Sequence, residues 1–147
     1  MTMKIFKGLT HGGTWYFWNE YGYRCVNANG GFWVDYLTRV VPKEIDEETI
    51  GQYTGFIDKK GNYVFVGDIV RNTFEDGNKE LLQVIFNKNN CAFELVDITT
   101  GEHISLTQTD AYISEVIGNI YDKKFKHAFF YLTERQKALE LLKDLLK

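Results

Sequence analysis

Apolar and β-branched residues fall in short runs, each closed by Gly, Asn or Asp, which is the pattern of strands joined by tight turns. Strands are predicted over residues 4–9, 14–23 and 31–41, separated by Gly12-Gly13 and by the Asn- and Gly-rich stretch 27–31, and together they read as an antiparallel meander. The segment 49–71 is more specific. A strand there runs into Asp58-Lys59-Lys60-Gly61, where a short carboxylate can accept backbone N–H groups and a glycine can take the positive φ that closes a hairpin. Tyr63-Val64-Phe65-Val66 is aromatic or β-branched at every position, which predicts cover on both faces. Gly67-Asp68 breaks that run before Ile69-Val70, as at a bend where a strand turns a barrel corner. Further strands are predicted over 68–74, 80–87, 91–97, 103–106 and 116–121, with turns at Asp76-Gly77, 87–90 and Thr100-Gly101. Short strands at this spacing predict a small barrel, and Gly67-Asp68-Ile69-Val70 followed by a turn and Gln83-Val84-Ile85-Phe86 is an SH3-like order.

One helix is predicted, over 134–147. Thr133 and Gln136 form a capping-box pattern before it, and Ala138, Leu139, Leu141, Leu142, Leu145 and Leu146 gather on one side. A helix this short is marginal in water on its own, so it must dock, either on its own β domain or on another subunit. Residues 42–48 carry the only Pro and a run of acidic residues able to cap a short helical turn. The predicted fold is mainly β in a single domain: an N-terminal antiparallel meander (1–48), a small SH3-like or related β-barrel (49–122) and a C-terminal amphipathic helical extension (123–147). At 147 residues such a chain can bury a core without disulfide or metal.

Aromatic content changes this picture. Eleven Phe, nine Tyr and three Trp are many for one small domain, and Trp15-Tyr16-Phe17-Trp18 puts large rings on both faces of a strand. Subunit contact is the leading explanation, with Trp15, Phe17, Trp18, Tyr53, Leu142, Leu145 and Leu146 as candidate interface residues, which makes a homo-oligomer the expected state. Charge is uneven: residues 1–122 hold 10 Lys/Arg against 17 Asp/Glu, whereas 123–147 hold 7 against 3. An acidic body repels a phosphate backbone, and no Lys or Arg lies between Gly12 and Tyr23 to accompany the aromatic run, so nucleic acid is not the favoured partner. Lys123, Lys124, Lys126 and His127 form a small basic stretch, read as solvated.

Catalytic patterns are missing from the sequence: there is no phosphate-binding loop, nucleophile-elbow serine, His-Glu-x-x-His or Cys-x-x-Cys. His11, His103 and His127 lack ligand spacing, and no cofactor or metal is expected. Asp58 and Asp68 can act as an acid–base pair only if the fold joins them, and both have turn-forming duties that weigh toward structure. Cys25 and Cys91 read as isolated thiols acting as small buried hydrophobes. With no long apolar window and no leader-like start, a cytoplasmic protein without membrane contact is expected.

Ile50-Gly51-Gln52-Tyr53-Thr54-Gly55, then Asp58-Lys59-Lys60-Gly61 and Gly67-Asp68-Ile69-Val70, and finally Val116-Ile117-Gly118-Asn119-Ile120-Tyr121 resemble the YopX family of phage and prophage proteins. The opening stretch Lys4-Ile5-Phe6-Lys7-Gly8 and Gly13-Thr14-Trp15 is similar in a looser way, so the likeness spans about residues 4–122. Val64 and Val66 stand where the family usually has charged or polar residues, and about 25 residues follow Tyr121; both departures imply additional apolar contact. The resemblance implies a mainly β, oligomeric phage protein and brings no biochemical activity with it; the expected role is a self-associating accessory protein that binds a host or phage protein in the host-cell cytoplasm. Gly51, Gln52, Tyr53, Thr54, Gly55, Asp58, Gly61, Gly67, Asp68, Gly118 and Asn119 carry it, mainly as structural positions, and no catalytic residue comes with it.

Overall fold

The structure is a computed structural model that describes residues 4–28, 31–39 and 44–125. The chain divides into two compact units, residues 1–53 and 54–147.

The first unit is an antiparallel sheet of β1 (Ile5–Leu9), β2 (Trp15–Asn19), β3 (Tyr23–Ala28), β4 (Gly31–Arg39) and the start of β5 (Gly51–Ile57), in the order β4-β3-β2-β1-β5. The stretch expected to be one strand over 14–23 is two. Asn19 is buried and its Oδ1 accepts from the N–H groups of Tyr21 and Tyr23, while Gly22 takes φ +84, so the chain reverses there and β3 begins. The aromatic run masks that Asn-to-Gly turn signal. The pairings Phe6↔Trp18, Gly8↔Tyr16 and Trp18↔Arg24, then Arg24↔Asp35 and Val26↔Trp33, set those residues on one face. Lys7, Trp15, Phe17, Cys25, Phe32 and Tyr53 lie on the other. Gly8 has no room for a side chain: a Cβ there would meet Ile45 Cγ2 at 2.6 Å and Trp18 at 3.0 Å, because buried Ile45 packs onto the sheet. A short 3-10 turn over Glu47–Thr49 is capped by the Asp46 carboxylate accepting from Glu48 N–H, as the acidic stretch predicts.

The second unit continues β5 into β6 (Tyr63–Phe65) and adds a five-stranded antiparallel sheet. Its strands are β7 (Asp68–Thr73), β8 (Lys79–Asn87), β9 (Ala92–Asp97), β10 (His103–Ser105) and β11 (Ser114–Asn119), ordered β10-β9-β8-β7-β11. Alternation along the strands serves two aliphatic clusters. Val64, Val70, Leu82, Val84, Leu95, Leu106 and Ala111 form one, and Ile69, Leu81 and Phe125 form the other with Ile98, Ile117 and Ile120 against them. A helix, α1 (Gln108–Tyr112), was not anticipated by the sequence reading; Thr107 and Asp110 build the capping box that starts it.

Two expectations change. The described strands are mainly β in two antiparallel sheets, but no closed SH3-like barrel is found among them, because the five-stranded sheet ends at β10 and at β11 and does not pair these two edges. Cys91 is exposed in a turn at φ 50, unlike buried Cys25, whose thiol is pushed up in pKa by burial. The predicted C-terminal helix over 134–147 lies outside the described residues.

Candidate functional site

Asp58 is the most heavily used carboxylate of the hairpin. It is 2% exposed; its Oδ1 accepts from the N–H groups of Lys60 (2.9 Å) and Asn62 (2.8 Å), and its Oδ2 accepts from Asn62 Nδ2 (3.1 Å) and Val116 N–H (2.8 Å). The first two bonds fold the turn. The last ties the turn to β11, where Lys59 N–H also donates to Ser114 C=O (3.0 Å). The tip therefore caps backbone groups of an outer strand that would otherwise stay open to another chain.

Asp68, fully buried, works similarly. Its Oδ2 accepts from Phe65 N–H (2.8 Å) and its Oδ1 from Asn119 Nδ2 (2.9 Å). Asn119 in turn accepts from Tyr121 N–H, and its own N–H donates to Asp122 Oδ2. Gly118 must be a glycine on spatial grounds: a Cβ would collide with the buried ring of Phe125 and approach Asp122 Oδ2 to 2.8 Å. Asp58 and Asp68 thus both accept hydrogen bonds that hold backbone in place, and the carboxylates serve structure.

A family model described as YopX protein matches residues 14–124. The chain belongs to the YopX family. No curated protein matches it. The family motifs quoted from the sequence converge on these two braces, one at Asp58-Gly61 and one joining Gly67-Asp68 to Gly118-Asn119. Upstream in β5, Gly51 is buried, and Gln52 stands opposite Phe6. Buried Thr54 donates its hydroxyl to Val64 C=O (2.8 Å) and accepts from Phe56 N–H, and Gly55 is exposed at φ +88.

The aromatic interface candidates are half-buried. Phe17 contacts Phe32, which contacts Tyr53 edge-on at 5.9 Å; Trp18 stacks with Phe6 at 6.2 Å; Lys7 sits over Trp15 at 4.7 Å. Leu142, Leu145 and Leu146 lie outside the described residues, as do Lys126 and His127. The most exposed rings of the first unit are ones that sequence reasoning passed over: Tyr21 (65%), Trp33 (63%) and Tyr36 (71%), with Leu37 fully in solvent. All but Tyr21 belong to β4, the outermost strand of its sheet. Between Tyr23↔Arg39 and Arg24↔Asp35 the pairing slips, so residues 36–38 bulge out, and the Asp35 carboxylate accepts from Leu37 N–H. No local rule marks this register slip. At the β1–β2 turn, an open cleft of about 520 Å³ is lined by Thr10, His11, Gly12, Thr14, Tyr16 and Glu44.

Charge organises two places in the second unit. Lys60 Nζ lies 2.7 Å from one Glu115 oxygen, and Arg71 Nη2 (3.2 Å) and Lys59 Nζ (4.0 Å) flank the other; Lys60 and then Arg71 hold the Glu115 carboxyl below its ordinary pKa against the opposing effect of desolvation. Glu94 is similarly lowered, by hydrogen bonds from Asn87, His103 and Asn90. Among the described residues no group of His, Cys, Asp and Glu is arranged to hold a metal ion, and no helix is long and apolar enough to cross a membrane.

Proposed function

We propose that this YopX protein is a phage-encoded accessory factor that associates with itself and binds a host or phage protein in the host cytoplasm, without catalysing a reaction. One observation carries the reading: the outermost strand β4 leaves Trp33, Tyr36 and Leu37 exposed to solvent, large apolar side chains of the kind that gather at contact surfaces. The duties of Asp58 and Asp68 support the non-catalytic part, since both carboxylates are engaged in bracing backbone. Size-exclusion chromatography with light scattering tests it. A mass above one chain that falls toward the monomer in a Trp33→Ser/Leu37→Ser variant is expected; a wild-type protein that stays monomeric at micromolar concentration defeats self-association.

A second reading, a nucleic-acid-binding accessory factor, gains one specific observation. Cations absent from the aromatic run in sequence reach its rings across strands: Lys7 over Trp15, Arg24 over Tyr16 (5.2 Å) and, on β3, Arg39 over Tyr23 (4.8 Å). Such pairs, found on both faces of the sheet, supply the combination of ring and cation that binding of single-stranded bases uses. Oligonucleotide titrations across a salt series decide it, and the absence of salt-sensitive binding removes it.

A further inference from the structure

We propose that the Asp58–Gly61 hairpin tip, together with Arg71, is a docking point for an acidic, partly apolar peptide segment of a partner protein. This deepens the protein-binding reading and rests on it. Residues 54–122 contain five Lys/Arg against eleven Asp/Glu, yet three of the five, Lys59, Lys60 and Arg71, converge on a single carboxylate, Glu115. Positive charge therefore exceeds negative charge at this spot of an otherwise acidic body. Lys60 and Lys59 are exposed (61% and 40% of their side chains) and Arg71 is partly so (26%), which leaves donors for a second carboxylate. The scaffold is prepared in advance: buried Asp58 fixes the turn, and Lys59 N–H anchors to Ser114 C=O, so docking orders little backbone. Glu115 itself shows how a carboxylate sits among these cations. Directly before Ser114, Tyr112 and Ile113 are more than half exposed (54% and 55%) and supply apolar contact next to the charges.

The favoured occupant is a peptide and not a nucleic acid. An extended phosphate backbone would meet the surrounding acidic surface, whereas a segment with one or two carboxylates meets chiefly the local cluster, because charges farther than about 8 Å are screened at physiological salt.

Fluorescence anisotropy with the full-length protein tests this, using a labelled peptide of Glu and Leu, its Gln-for-Glu counterpart and single-stranded DNA. Binding of the Glu peptide that weakens with salt, and is about tenfold weaker in Lys59→Gln/Lys60→Gln at a temperature where circular dichroism shows that variant folded, is expected. Glu115→Gln should bind the Glu peptide several-fold more tightly, because the internal competitor is gone. Equal affinity for the Glu and Gln peptides, no loss in the double variant, weaker binding by Glu115→Gln, or tighter binding of the DNA would each overturn the proposal. A protein that self-associates but ignores the Glu peptide sinks this inference alone; a monomer that binds it sinks only the self-association reading.

Discussion

The two units use apolar residues in opposite ways. In the second, aliphatic side chains are removed from water almost completely: Ile69, Val84 and Leu95 are 0% exposed, and buried Asp58, Asp68 and Asn119 all have partners. In the first, the buried set is small, chiefly Cys25, Ile45, Asn19 and Thr49, while the large rings pair with one another at half exposure and β4 leaves three apolar side chains in solvent. Burial of apolar area stabilises by roughly 25 cal/mol per Å², so the fully covered aliphatics weigh more per residue in folding, and the uncovered rings are available for contact. Similar hydrophobicity along the chain thus divides into core in one region and surface in the other.

The comparison breaks most visibly at Leu95. Replacing it by Ala leaves a cavity among Val84, Leu82 and Val70, and a loss of about 2–5 kcal/mol in chemical denaturation is expected, against a smaller loss for Phe17→Ala in the first unit. If Phe17→Ala costs as much, the half-exposed rings are a true core. Asp58→Ala comes next: it strands the N–H groups of Lys60, Asn62 and Val116, and about 3 kcal/mol should be lost, with faster amide exchange at Val116 as the specific sign. Gly118→Ala forces a methyl group against the Phe125 ring and should cost about 1–3 kcal/mol. By contrast Trp33→Ser should change stability by no more than about 0.5 kcal/mol while lowering the mass seen by light scattering, since this ring is mostly in water.

Acid should have the mildest effect. Glu115 and Glu94 have pKa values below the ordinary carboxylate range when folded, so their contribution is present above that range and is lost as pH falls through the lowered values. Denaturation midpoints measured downward from neutral pH should hold steady and then decline below the usual carboxylate pKa. In Glu115→Gln that decline should be shallower; an unchanged slope would show that the cation cluster does not stabilise the fold.

Much of the second unit was legible residue by residue. Asp58-Lys59-Lys60-Gly61 announces a hairpin because its conformational demands are local, and Tyr63-Val64-Phe65 announces burial because no polar position interrupts it. The helix α1 was missed, although Thr107 and Asp110 carry its cap, because that signal is one turn long and sits between strands. The first unit was harder. Nothing adjacent to Trp15–Trp18 says that Lys7 and Arg24 will lie over its rings, since those neighbours come from other strands.

The sequence by itself determined that the chain is mainly β, where most of its turns fall and which family it joins, because strand alternation, turn chemistry and motif order act over a few residues at a time. Only the tertiary structure decided that Asp58 braces β11, that Asn119 holds Asp68, that three cations share Glu115 and that the described strands of the second sheet do not pair edge to edge. Those outcomes depend on register between strands distant in sequence, and a slip of a single residue would turn each side chain to the opposite face.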